Sequence, residues 1–440
     1  MPLVVQGLPV HGAKLSVEPP TSANEELMCQ AMEGLGFPIG LAKQLIASTL
    51  EFPIRIWVVD NSGSMNTGDG KCIVKKGDGR LTSMKTSRWA ELSNTIVGIA
   101  ELATTLDART DFHLLNATGQ GQYFSVGGNN NTSSAMTRSA KPLNLSEFKQ
   151  RVDKISPSGG TPLTQAIEQI ISLLKPAAPK LHAKGQKACV VVATDGLPDN
   201  ESSFLGAMYR LQRLPIHLVV RLCTDDHRVV SYYNELDRHL EVEMEVLDDV
   251  FGEAEQVYAY NAWLRYGPSL HRAREFGLHN KVFDLLDEQT LVPNQVKRCC
   301  EAILGCSELP EPEVDPMAFK MAIKESLRDV APVFDPVSKS MRPWVDTKKC
   351  GPRSFAQNVN DRLGPWVQRA KQTIRGTGVT FTGWLNIFNV WALWTVCVGL
   401  YFIASDKTYP LGVFLLALTS WVCIIPRGSS MCPEGFNRYD

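Results

Sequence analysis

Residues 55–65 read Arg-Ile-Trp-Val-Val-Asp-Asn-Ser-Gly-Ser-Met, and the fold class turns on this stretch. Arg55–Val59 is a near-continuous run of strand-forming apolar residues that stops at Asp60. A strand apolar at successive positions is buried on both faces, the condition of a parallel sheet covered by helices. The turn after it, Asp60-Asn61-Ser62-Gly63-Ser64, sets a carboxylate and two hydroxyls at alternate positions. Gly63 gives that turn the freedom to bend. In a doubly wound sheet, ligands bind at the carboxyl ends of the strands, where this turn lies. Carboxylate and hydroxyl are hard oxygen donors, suited to magnesium or manganese and unsuited to zinc or copper.

Working outward, apolar strands alternate with amphipathic helices. The spacing predicts helices over 84–106, 161–175, 202–213 and 225–239, and closing helices over 252–265 and 293–304. Strands are expected at Phe112–Leu115, Tyr123–Val126, Ala188–Ala193, Ile216–Leu222 and Glu243–Leu247. This alternation implies an α/β fold with a doubly wound, mostly parallel sheet, Rossmann-like in outline. Residues 66–80 carry two Gly-Asp-Gly turns that suit a small hairpin, and 117–144 form a polar Gly/Asn/Ser/Thr-rich loop. Asp69 and Asp78 lie in the first of these and are not taken as ligands.

Two further blocks face the same sheet edge. The strand Ala188–Ala193 is followed by Thr194-Asp195-Gly196, which brings a second carboxylate. Ser158-Gly159-Gly160-Thr161-Pro162 opens a helix, with Thr161 placed as its N-cap and Pro162 at its first position. Each block also has a plain structural reading. Thr161, Ser62 and Ser64 can serve only as caps, and Asp195 as a turn residue. Asp-x-Ser-x-Ser alone is a weak signal; the three blocks in order are far more specific.

Together they resemble the von Willebrand factor A family, over roughly residues 52–305. The resemblance implies a metal-ion-dependent adhesion site at Asp60, Ser62, Ser64, Thr161 and Asp195. It implies direct ligation by the two serines, and ligation by the threonine and aspartates directly or through water. One coordination position is left for the carboxylate of an Asp or Glu on a protein partner. It also implies that the strand ending at Asp60 lies beside the strand ending at Asp195. The cofactor expected is Mg2+ or Mn2+.

The rest of the chain reads as appendages. Residues 1–23 are irregular, without the pattern of a signal peptide. Residues 24–51 read as two short helices broken at Gly36-Phe37-Pro38; they are faintly similar to ubiquitin-associated domains, of whose three helices only two are visible, and otherwise read as a plain helical brace on the next domain. Residues 306–383 read as a linker, acidic and proline-bearing at 307–316 and basic over 342–375. Residues 384–404 and 409–425 are two uncharged apolar runs separated only by Ser405-Asp406-Lys407-Thr408, and predict a transmembrane helical hairpin. Residues 426–440 form a tail. Arg362, Arg369, Lys371 and Arg375 before the first run and Arg427 after the second place both flanks, and the A domain, on the cytosolic side of a membrane.

Bulk properties narrow the function. The formal net charge of -1 over 440 residues gives no basic face for nucleic acid. Eleven cysteines without a Cys-x-x-Cys pair suggest reduced thiols; Cys299, Cys300 and Cys306 read as helix packing rather than a zinc site. Sequons at Asn116, Asn130, Asn144 and Asn200 matter only for a translocated domain. No phosphate loop, activated nucleophile or paired histidine is present, and His113, His182 and His217 read as packing or surface residues. The expectation is therefore not an enzyme but a membrane-anchored, metal-dependent module that binds an acidic residue of a protein. The alternatives are a soluble adaptor whose C-terminal hairpin is core or a dimer interface, a soluble or membrane-linked adaptor in the ubiquitin pathway using 24–50, and a magnesium-dependent hydrolase.

Overall fold

In the computed structural model, described over residues 22–350 except 78, 129–141 and 242–243, the opening stretch forms β1, Ile54–Val59, buried along its whole length. The hairpin strands β2, Gly70–Lys75, and β3, Leu81–Thr86, follow. Then come β4, Thr110–Thr118; β5, Gly121–Val126; β6, Ala188–Thr194; β7, Ile216–Leu222; and β8, Met244–Leu247. The main sheet has the order β5-β4-β1-β6-β7-β8, with β1 paired in parallel to both β4 and β6. Only β5 runs antiparallel, through the hairpin from β4. The fold is thus mixed α/β around a mostly parallel sheet, as the alternating pattern predicts.

Period-two alternation divides the central strands between two apolar layers. Ile54, Ile56 and Val58 of β1, with Ala188, Val190 and Val192 of β6, face the helices Leu163–Leu174, Glu201–Leu211 and His227–His239. Trp57, Val59, Cys189, Val191 and Ala193 face the layer holding the helices Arg88–Thr105 and Pro293–Leu304. Both faces are covered, which is why these strands carry almost no polar residue.

The N-terminal segment forms the helices Ser22–Gly34 and Ile39–Glu51 and packs as a brace. Leu41, Ala42, Leu45 and Ile46 join the core. At Gly40 a Cβ would meet the Ala302 carbonyl at 2.4 Å, so only glycine lets this helix lie so close to the helix Pro293–Leu304. Gln44 Nε2 donates to the Ala302 carbonyl at 2.6 Å across the same contact. Arg55, 2% exposed, ties β1 to the brace: its guanidinium donates to the carbonyls of Phe52 at 2.6 Å and Ser48 at 2.9 Å. These bonds satisfy a charge whose burial would otherwise be costly.

Four expectations shift. The helix expected from residue 84 begins at Arg88, because Leu81–Thr86 pairs with Gly70–Lys75 and the Ser87 hydroxyl caps the helix, accepting from the Ala90 N–H at 3.1 Å. The helix expected from 161 begins at Leu163; the position before it is Pro162, and no side chain caps it. The helix expected to 265 ends at Asn261, whose side chain turns into the core to bond the carbonyls of Leu286 and Gln289. Finally, the stretch read as linker carries packed structure through residue 350. The helix Pro316–Ser326 buries Phe319 and Ile323, and β9, Val333–Asp335, pairs with β10, Ser340–Arg342. Trp344 is 1% exposed, and the Asp346 N–H donates to the Trp263 carbonyl at 2.7 Å. No described helix is long and apolar enough to cross a membrane. The runs 384–404 and 409–425, the tail, the basic stretch beyond 350 and the sequon at Asn130 lie outside the described residues.

Two buried arginines organise the interior near β7 and β8. Arg221 pairs with Glu91 and Glu275, and Arg274 with Glu245 and Glu253. Asp287 stands 3.6 Å from Arg274 as a third carboxylate. One positive charge therefore faces three acids in a volume with little water. Burial pushes Glu253 up to about 8 and Glu245 up to about 7, the arginine only partly opposing it.

Candidate metal centre

The parallel pairing of β1 with β6 sets Asp60 and Asp195 at one edge; the Asp60 N–H donates to the Ala193 carbonyl at 2.9 Å. Asp60 is fully buried. Its Oδ1 accepts the Ser62 N–H at 2.8 Å and its Oδ2 the Thr194 hydroxyl at 2.7 Å. Ser62 Oγ lies 2.9 Å from Ser64 Oγ, and Ser64 Oγ donates to Asp195 Oδ1 at 2.8 Å. A continuous line of oxygen atoms thus runs from the turn after β1 to the turn after β6.

Thr161 lies next to this group. A Cβ built on Gly196 would lie 3.9 Å from both Oγ1 and Cγ2 of Thr161, so the threonine side chain flanks the turn carrying Asp195. Its loop is docked rather than loose. The Gly63 N–H donates to the Gly159 carbonyl at 3.0 Å, and the Ser158 N–H to the Asn61 carbonyl at 2.8 Å. Gly159 has φ +86, and a Cβ there would meet Asn116 Oδ1 at 2.5 Å; both facts demand glycine. Asn116 Nδ2 holds the next residue through the Gly160 carbonyl at 2.8 Å.

The electrostatics are those of a place that wants positive charge. Burial raises Asp60 above the usual carboxylate range, and the nearby Asp195 charge raises it further, against bonds from Ser62 and Thr194. Arg88, the first residue of its helix, reaches in: Nη1 donates to Asp195 Oδ2 at 2.9 Å. Its other donors hold Asp69 in a fork, Nε to Oδ1 at 2.7 Å and Nη2 to Oδ2 at 2.6 Å.

The donor set suits a hard divalent ion. Two carboxylates and three hydroxyls are all oxygen. The Cys223 thiol, near enough to feel Asp60 and Asp195, is buried and pushed well up, which keeps it a neutral thiol rather than a thiolate ligand. Among the described residues no three His, Cys, Asp or Glu side chains are grouped to hold a metal, so a centre here depends on the hydroxyls. His113 and His217 are buried, driven down to about 4 and about 3 by burial, and His182 is exposed; none adjoins the oxygen line. Cys299 and Cys300 are buried in their helix and Cys306 is half-buried, all as free thiols.

All five residues proposed from sequence are therefore brought to one edge, but Thr161 does not cap. Sequence reasoning missed Asn61, Asn116 and Thr194, which shape the edge, and Arg88 with Asp69, which charge it. Thr194 and Asn61 carried a local signal, each standing next to a candidate aspartate at the end of a buried strand.

No protein-family model matches this sequence, and no curated protein matches it. Among solved structures, the manganese-loaded Plasmodium vivax TRAP protein is similar at 15% identity, over 45% of this chain and 69% of that one, with a TM-score of 0.29. A likeness of that size carries no argument about the site, which stands on its own geometry.

Proposed function

We propose that this chain is a von Willebrand A-type interaction module that holds Mg2+ or Mn2+ through Asp60, Ser62, Ser64, Thr161 and Asp195. It would take the carboxylate of an Asp or Glu on a protein partner. The observation that supports this best is the oxygen line Ser62–Ser64–Asp195, with steps of 2.9 and 2.8 Å, joining two adjacent strand ends above the buried Asp60. A bound ion supplies a Lewis-acidic position with an exchangeable water, which an incoming carboxylate can replace. The chain's own part is orientation: the Thr194 hydroxyl and the Ser62 N–H fix Asp60, while Ser64 fixes one oxygen of Asp195. The module acts by binding, not as an enzyme. Residues 384–425 anchor it in a membrane with the domain facing the cytosol.

Calorimetric titration of the purified chain with Mn2+ and Mg2+ tests the centre. Saturable binding that Asp60→Ala and Asp195→Ala both abolish is expected. A folded protein that takes neither ion overturns the reading. For the anchor, protease added to intact microsomes is expected to digest residues 1–380 and to spare a short hairpin fragment. A protected domain would reverse the topology.

A further inference from the structure

Arg88 has an unusual position for a cation. It is the first residue of the helix Arg88–Thr105, where the exposed N–H groups already make the electrostatic field positive. Its side chain is only 14% exposed, and all three of its carboxylate contacts are short. Such a placement is tolerated because acids surround it. Asp195 is 0% exposed and shares its carboxylate between Ser64 on Oδ1 and Arg88 on Oδ2. Asp69, at the start of the β2–β3 hairpin and half exposed, takes the outer side of the guanidinium.

From this arrangement we infer that Arg88 sets the metal affinity of the centre, acting as a resident cation that competes with the ion for Asp195, with Asp69 tempering it. The inference rests on the metal-centre reading above. An ion drawn to Ser64 Oγ and Asp195 Oδ1 meets a carboxylate already half neutralised from its other oxygen. It also enters the repulsive field of a fixed positive charge one carboxylate away, in a region where burial weakens screening. Asp69 offsets that field from the far side. It draws guanidinium charge outward and keeps Arg88 from giving itself wholly to Asp195. The affinity is then a balance of three charges, one of which belongs to the hairpin.

A merely structural network gives a different outcome from a competing cation, because the two substitutions Arg88→Met and Asp69→Asn have opposite signs only in the second case. Removing the guanidinium takes away the competitor, so Arg88→Met is expected to bind Mn2+ at least about fivefold tighter than the parent chain. It is also expected to melt lower without added metal, since Asp195 loses its partner, and to gain more in melting temperature when Mn2+ is added. Asp69→Asn leaves Arg88 in place and removes its outer anchor, so it is expected to bind Mn2+ several-fold more weakly. Asp69 is exposed enough that this variant folds even where Arg88→Met does not. Calorimetric Kd for Mn2+, with circular dichroism as the check on folding, reads both. Weaker or unchanged binding by a folded Arg88→Met, or unchanged or tighter binding by Asp69→Asn, overturns the inference while leaving the metal centre intact. No binding by the parent chain and by either variant overturns the centre itself.

Discussion

Asn61 and Asn116 clasp each other across the edge of the sheet. Asn61 Nδ2 donates to the Asn116 carbonyl at 2.9 Å, and the Asn116 N–H donates back to Asn61 Oδ1 at 2.8 Å. Asn61 is fully buried between the two oxygen-bearing positions 60 and 62, so the clasp joins the end of β4 to the candidate centre. Asn61→Ala removes both bonds and leaves the Asn116 backbone groups unsatisfied. A loss of about 2 kcal/mol is expected, two ordinary hydrogen bonds' worth. Urea unfolding followed by circular dichroism measures it. An unchanged midpoint would show the clasp to be idle.

Gly159 is the next point of rigidity. Its φ of +86 and the 2.5 Å approach of Asn116 Oδ1 to a built Cβ leave no room for alanine. Gly159→Ala must move the loop that carries Thr161, because Asn116 is itself held by Asn61. Strain at such a position costs on the order of 1–3 kcal/mol. The sheet lies elsewhere, so the fold is expected to survive and Mn2+ affinity to drop by tenfold or more, about 1.4 kcal/mol. Wild-type affinity in this variant would remove Thr161 from the ligand set.

Much of this was legible in the chain, for a definite reason. Strands buried on both faces are apolar over runs such as Val58-Val59 and Val190-Val191-Val192, and each of these two runs stops shortly before an aspartate. That pattern alone places Asp60 and Asp195. It says nothing of Arg88, Asn116 or Asp69, whose roles come from proximity between residues distant in sequence. Nor does it reveal the packing of residues 316–350. Phe319, Ile323, Phe334 and Trp344 are widely spaced there and follow an acidic, proline-bearing run that reads as linker. The start of the helix at Arg88 was obscured because Trp89, Leu92 and Ile96 keep helical spacing with residues upstream, while the Ser87 cap sets the boundary.

The acids around Arg274 make stability depend on pH in a stated direction. Glu253 and Glu245 are pushed up to about 8 and about 7 when folded, against ordinary unfolded values near 4.5. The folded protein therefore holds protons that the unfolded chain has lost. Their stabilising contribution is complete below the unfolded value and is lost as pH rises through about 7 to 8. The buried His113 and His217 act oppositely but only below about 6.5, where the unfolded imidazoles begin to charge. Between pH 6.5 and 9 these carboxylates dominate together with Asp248, pushed up to about 7 by burial and by the neighbouring Asp249, and a loss of about 3–4 kcal/mol is expected across that span. Melting curves at half-unit steps follow it. The double variant Glu245→Gln and Glu253→Gln should flatten the slope; an equally steep slope in that protein would assign the titration to other groups.

Thr161 separates a ligand-binding ion from one that only holds the fold. Its side chain lies beside Gly196, with Oγ1 and Cγ2 both 3.9 Å from a Cβ built there, and the helix Leu163–Leu174 starts without a side-chain cap. Thr161→Ala consequently sacrifices no cap, and a surface-side change of this kind costs within about 0.5 kcal/mol. The Leu163 N–H still reaches the residue 161 carbonyl, a backbone bond of 2.7 Å that alanine keeps. What alanine cannot keep is the Thr161 hydroxyl, the side-chain oxygen of this loop next to the turn of Asp195. If the ion presents an exchangeable position to a partner carboxylate, its coordination must be completed on the protein side by this oxygen. Thr161→Ala is then expected to keep its circular dichroism spectrum and metal-free melting temperature while losing magnesium-dependent capture of an immobilised acidic peptide. Changing the acidic residue of that peptide to its amide should abolish capture by the parent chain in the same assay. Were the ion structural, capture would instead fall only in step with unfolding, and the folded Thr161→Ala protein would retain it in full.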